Sequence, residues 1–109
     1  MRRALAICVL LLGTLPACKE AASTAVPKLI KQLNAKESSQ RNEAAQSLAR
    51  YGTEAQPATQ ALVRALWDDN LGVRSSAAYA LGKIGTPAAS AAIENYKKEK
   101  AKQIKEGQE

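Results

Sequence analysis

Few residues in this chain of 109 could drive a reaction. It contains no His, and its two cysteines, Cys8 and Cys18, both fall within the first eighteen positions. The rest of the chain therefore offers no imidazole for acid–base work, no thiol nucleophile and no Cys/His set for a metal. It also lacks a glycine-rich phosphate loop. The one adjacent carboxylate pair, Asp68-Asp69, comes just before a run that reads as helix, where capping of the first turn accounts for it. These features point away from an enzyme, and no cofactor, metal or small-molecule substrate is expected. What remains is one thiol, Cys18, and a set of side chains suited to binding.

Cys18 sits at the end of a distinctive segment. Met1-Arg2-Arg3 gives a short positive start, and Ala4 to Ala17 carries no charge and includes Ile7-Cys8-Val9-Leu10-Leu11-Leu12. That length suits the apolar region of a signal peptide and falls short of the about 20 residues that span a bilayer. Leu15-Pro16-Ala17-Cys18 resembles the bacterial lipobox. The resemblance implies cleavage after Ala17, a diacylglycerol on the Cys18 sulfur and acylation of the new amine. The other reading is an uncleaved apolar helix with an incidental cysteine. Several acyl chains on one residue anchor a protein durably, where a single chain holds it only marginally. The expected division is a signal peptide over 1–17, a lipidated Cys18 with a short tether over 18–23, and a folded domain over 24–109. Lys19, rather than Asp, after the cysteine resembles lipoproteins sent to the outer membrane. The expected place is the cell envelope, lipid-anchored, on the outer membrane facing the periplasm where two membranes exist.

The rest of the chain has to position whatever binds. Ala is the commonest residue, Phe is absent, and no Val/Ile/Thr-rich run of strand length occurs, so the composition favours an all-α fold. The formal charge is +6. Without Arg2 and Arg3 the excess is about four, a mildly basic balance. Shifted by 33 positions, Ala25–Pro57 falls on Ala58–Ser90 without a gap. Ten positions are then identical, among them Leu29/Leu62, Leu33/Leu66, Arg41/Arg74, Ala44/Ala77, Leu48/Leu81 and Gly52/Gly85. Chance in so alanine-rich a chain gives roughly three. Leu29, Ile30 and Leu33 mark one face of a first helix, and Ala44, Ala45 and Leu48 mark one face of a second. Gly52 and Gly85 end the second helices, and Pro27 and Pro57 lie near the starts of first helices. Pro87, Ala92, Ile93 and Tyr96 begin a third, incomplete unit. The expected helices are 24–35, 39–51, 56–68, 71–84 and 87–105, in units 24–53, 56–86 and 87–106, the last carrying a charged C-terminal helix.

Asp68-Asp69-Asn70-Leu71-Gly72-Val73-Arg74-Ser75-Ser76-Ala77-Ala78-Tyr79-Ala80-Leu81-Gly82-Lys83-Ile84-Gly85 resembles a HEAT repeat, of the short kind also seen in phycobilin lyases. Arg41 to Ala49 is a weaker copy. The resemblance implies a short α-solenoid of antiparallel helix pairs, about two and a half repeats and five helices. It implies that Arg41 and Arg74 bond to the preceding turn or a neighbouring unit, with Asp69 the natural partner for Arg74. Only Glu37 could serve Arg41 from its own turn, which is expected to be looser. Short repeats of this kind occur in many unrelated adaptors, so the resemblance does not imply lyase activity.

A solenoid binds through its curved face, lined in this family by second helices. The side of helix 39–51 opposite Leu48 carries Glu43, Gln46 and Arg50, and one unit later come Ser76, Tyr79 and Lys83. These six residues are the expected partner-binding face. Tyr79 replaces Gln46 on an exposed stripe, and aromatic residues are enriched at binding hot spots; alternatively it leans over the alanine-rich groove. Trp67 is expected to cover the stack and Tyr51 to be core. Lys and Glu are mixed from Glu94 to Glu109 at three- and four-residue spacings such as Glu94/Lys98 and Lys102/Glu106, which support a solvated helix. The leading expectation is a membrane-anchored, protein-binding adaptor of the envelope. A second is a binder of envelope anions or wall polymer through Arg50, Lys83 and the tail lysines. A third is a self-associating piece, since about three repeats are usually needed for stability. Export argues against nucleic acid.

Overall fold

The structure is a computed structural model that describes residues 21–107. The expected signal peptide, Cys18 and the first part of the expected tether lie outside the described residues. Five α-helices follow one another: α1 (Ala22–Gln32), α2 (Ser38–Tyr51), α3 (Thr59–Ala65), α4 (Leu71–Ile84) and α5 (Pro87–Gly107). A 3₁₀ segment, Gly52–Ala58, joins α2 to α3. Among the described residues there is no strand. The chain forms the short all-α solenoid expected of its repeats.

The core explains the repeat. Leu48, Leu62, Leu66, Val73, Leu81 and Ile84 are its largest fully buried side chains. Leu48 and Leu81 are repeat equivalents, and so are Tyr51 and Ile84, both buried as expected. The most extensive packing joins the second helices, α2 and α4. Ala44, Ala45 and Ala77 have no exposed surface, and with so little side-chain volume between them the two backbones can approach closely.

The first helices end in the same way in both units. In α1 the last turn tightens, with the Asn34 amide bonded to the Lys31 carbonyl and that of Ala35 to Gln32, each at 3.0 Å. Thirty-three residues later the Trp67 amide meets Arg64 at 3.0 Å and that of Asp68 meets Ala65 at 3.1 Å. These i→i+3 bonds explain why the α-helices stop short of the expected ends at 35 and 68.

Two starts differ from expectation. Helix α1 begins at Ala22, so Pro27 lies inside it instead of near its first turn. Pro27 has no amide to give the Ser23 carbonyl, a local cost. Burial of Ala25 and Val26 on the core opposes that cost, and the exposed Pro27 ring faces away from it. Between α2 and α3 the chain leaves helical winding at Gly52 and resumes it in the 3₁₀ segment. Gly52 takes φ 56° and turns the axis, and Thr59 Oγ1 closes the next turn by donating to the Gln56 carbonyl at 2.6 Å. Helix α4 has the expected bounds. Asn70, not the aspartate pair, caps it, its side chain accepting from the Val73 amide at 3.1 Å. Gly85 ends it at φ 67°, a left-handed conformation. Pro87 opens α5, where Thr86 Oγ1 accepts from the Ala89 amide at 3.2 Å.

Candidate functional site: a repeat link and the groove beside it

Two arginines sit at equivalent points of α2 and α4, and both do the same thing first. Arg41 donates from one terminal nitrogen to the Ala35 carbonyl at 2.9 Å, and Arg74 donates to the Asp68 carbonyl, also at 2.9 Å. Each reaches six residues back and pins the end of its unit's first helix. Arg41 adds a bond to the Lys36 carbonyl at 2.8 Å, so its turn is tied down, contrary to the looser turn expected there.

Arg41 then reaches forward into the second unit. Its Nε donates to Asp68 Oδ2 at 2.8 Å and its second terminal nitrogen to Asp68 Oδ1 at 3.0 Å, a two-pronged pair. A further bond runs to Asp69 Oδ1 at 3.1 Å. Asp69 therefore serves Arg41 and not Arg74, which corrects the expected pairing. The Asp68 and Arg41 side chains are only 13% and 14% exposed, whereas Asp69 is 92% exposed. Asp68 is thus the main acceptor. Sequence reasoning missed it because Arg41 and Asp68 stand 27 positions apart, across a repeat boundary. The two-acid turn was visible, but not which arginine it would meet.

Burial alone would push the Asp68 carboxyl up. The bond from Arg41, the Asn70 amide donating to it at 2.9 Å and the neighbouring Asp69 outweigh that, and Asp68 stays below the ordinary carboxylate range. The same hydrogen bond raises the pKa of Arg41 still further. Arg74 has no such acid, and its Nε is buried with no hydrogen-bond partner.

Beside this link the exposed faces of α2 and α4 form an open groove of about 830 Å³. Gln46, Ala49, Arg50, Gly52, Ser75, Ser76, Tyr79 and Lys83 line it. Five of the six residues expected on the binding face thus come together, while Glu43 is exposed but not in the lining. Helix periodicity explains the grouping. Gln46 and Arg50 on α2, and Tyr79 and Lys83 on α4, are each one turn apart and face away from Leu48 and Leu81. Tyr79 is 59% exposed. Lys83 Nζ lies over its ring, 5.4 Å from the centre, a cation–π contact. Ser76 Oγ donates to Asn42 Oδ1 and ties α4 to α2 at the groove's edge. Ala49, Gly52 and Ser75 also belong to the lining, small residues that the sequence did not mark for binding.

On another side, α3 and α5 enclose a smaller cleft of about 330 Å³, lined in part by Val63, Leu66, Trp67, Ala92 and Tyr96. Trp67 meets Tyr96 edge to face, with ring centres 4.9 Å apart, and covers that end of the stack while staying about half exposed. Farther along α5 the Glu94 carboxylate is met by Lys97 at 3.4 Å, one residue before the expected Lys98. Among the described residues no helix is long and apolar enough to cross a membrane.

The repeat geometry agrees with a comparison against known families. A family model described as HEAT repeats matches residues 26–107, well over half of the chain. Among curated proteins none matches.

Proposed function

Because the chain belongs to the HEAT-repeat family, whose members commonly bind protein partners, we propose that it is a lipid-anchored adaptor of the bacterial cell envelope. The domain holds a protein partner in the groove between α2 and α4. One observation carries this reading: Gln46, Arg50, Ser76, Tyr79 and Lys83 line a single open groove, with a largely exposed aromatic among them. The opposite faces of the same helices are buried, so the groove side is the one open to a partner. The chain catalyses nothing in this reading.

The anchor is Cys18, on the strength of Leu15-Pro16-Ala17-Cys18 and the uncharged run before it. Helix α1 begins at Ala22, and the stretch from Cys18 to Ala22 reaches at most about 14 Å when extended. The groove therefore works close to the membrane, and the partner is a membrane protein or one within reach of its surface. A Cys18→Ser variant is expected to lose incorporation of labelled fatty acid and to leave the membrane fraction. Unchanged labelling and fractionation would remove the anchor from the proposal.

The groove is tested with a photo-crosslinking residue at position 79 and, as control, at exposed position 60 on α3. Crosslinks from 79 to one envelope protein, absent from 60, are expected. Equal patterns from both would set the adaptor reading aside. A second reading keeps one specific support, the exposed lysines of α5, Lys97, Lys98, Lys102 and Lys105. In it the protein holds envelope anions or wall polymer, and its binding falls steeply with salt.

A further inference from the structure

The groove has a chemical sign. Two of its lining side chains are cations, Arg50 and Lys83, and among the described residues that line it none is acidic. Both cations lie in the last turns of their helices, α2 and α4, so the charge collects at one end of the groove. Gly52 lies at that end with φ 56° and no side chain, which leaves the approach open. Toward the other end the lining is neutral and polar: Gln46, Ser75 and Ser76. Between them stand Ala49, buried, and the exposed ring of Tyr79.

From this we infer that the groove takes an extended acidic segment of a partner polypeptide. The proposal rests on the groove being the binding face, and adds the class of partner. An Asp or Glu side chain of the segment lies at the end marked by Arg50 and Lys83, where it is attracted over short range and steered over longer range. The Gln46 amide and the Ser75 hydroxyl can both donate to and accept from a peptide backbone, and the Ser76 oxygen, whose proton goes to Asn42, can still accept. The exposed Tyr79 ring offers an apolar surface for a neighbouring side chain. This mixture favours a polypeptide over a polyanion. A polyanion gains most from a continuous row of cations, and two cations beside an aromatic ring and neutral hydrogen-bonding groups are not such a row.

The experiment is a selection of random peptides displayed against the full chain held in detergent micelles. Selected sequences are then made as fluorescent peptides and titrated in solution. Enrichment of Asp and Glu is expected, with binding about tenfold weaker to Lys83→Glu and to Tyr79→Ala. A third variant, Ser75→Asp, puts a carboxylate into the groove from an exposed helix position and should weaken binding while keeping Tyr79 and both cations. All three positions are on the surface or half-exposed rim, and a variant that melts early is replaced by one of the other two. Peptides that need Tyr79 but are not acidic would overturn the inference and leave the groove as the binding face. Peptides indifferent to all three variants would overturn both. Inorganic polyphosphate that binds in a Lys83-dependent way, where acidic peptides do not, would overturn the inference in favour of an anionic polymer.

Discussion

Asp68 is the residue on which two repeats meet. It accepts two bonds from Arg41 in the first unit and one from the Asn70 amide in its own. The carboxylate is held in its charged form more firmly when folded than when unfolded. Its contribution to stability is complete above the unfolded carboxyl value of about 3.9 and is lost as pH falls through the lower folded value. Asp68→Asn is therefore expected to lower the melting temperature at neutral pH. The gap to wild type should close in strong acid, and melting curves recorded across that range check it. A constant gap at every pH would remove Asp68 ionisation from the account. Arg41 could be singled out from the sequence because its equivalent, Arg74, stands in a more complete copy of the motif. Its partner could not, because bonding across a repeat depends on how the units are stacked, and no spacing within a unit states that. Tyr79 and Lys83 were legible for the opposite reason. Their placement follows from helix periodicity alone once Leu81 is assigned to the core.

Helix α4 shows how much a local signal can decide. Its start has Asn70 as a cap and its end has Gly85 in a left-handed conformation, and its bounds are those expected from the sequence. Asn70→Ala removes the bond to the Val73 amide and is expected to cost about 1 kcal/mol. Gly85→Ala forces a Cβ into the left-handed region at a cost of about 1–2 kcal/mol. Denaturant titration measures both, and a neutral result at either position would show that end of α4 to be held by something else. Where start and stop signals are weaker, the bounds moved. Pro27 looked like a helix start, yet the apolar spacing of Ala22, Ala25, Val26 and Leu29 extends α1 back beyond it. Burial outweighed one missing amide, a comparison that a Pro by itself does not reveal. The sequence places a stop at Gly52 and a new helix from residue 56, whereas the 3₁₀ segment Gly52–Ala58 bridges the two. The glycine breaks the winding for one residue, and the 3₁₀ segment takes it up again.

Across the whole molecule, order is expected to follow burial. The paired second helices carry most of the core, whereas α5 contributes only Ala89 as a fully buried residue and is exposed from residue 101 onward. Hydrogen exchange should therefore be slowest in α2 and α4 and fastest in the final turns of α5. Removing residues 101–109 should leave the melting temperature nearly unchanged. A large drop would mean that the tail covers the stack, for which the burial of its side chains offers no support. The expected count of five helices and the nearly constant 33-residue period were both legible, because a repeat states its own packing twice. The third unit departs from the pattern, and that gives the array a direction. Arg41 reaches forward to the aspartate turn of the next unit, whereas Arg74 bonds back to the Asp68 carbonyl and, among the described residues, its Nε is unbonded. The two arginines thus differ: Arg41 meets an acid of the following unit, and Arg74, among the described residues, does not. A tandem copy of residues 53–85 spliced in after Gly85 would bring a new aspartate pair to Arg74. The same junction could then be made again, and a copy added there is expected to stack on the existing units through the bond that Arg41 makes to Asp68.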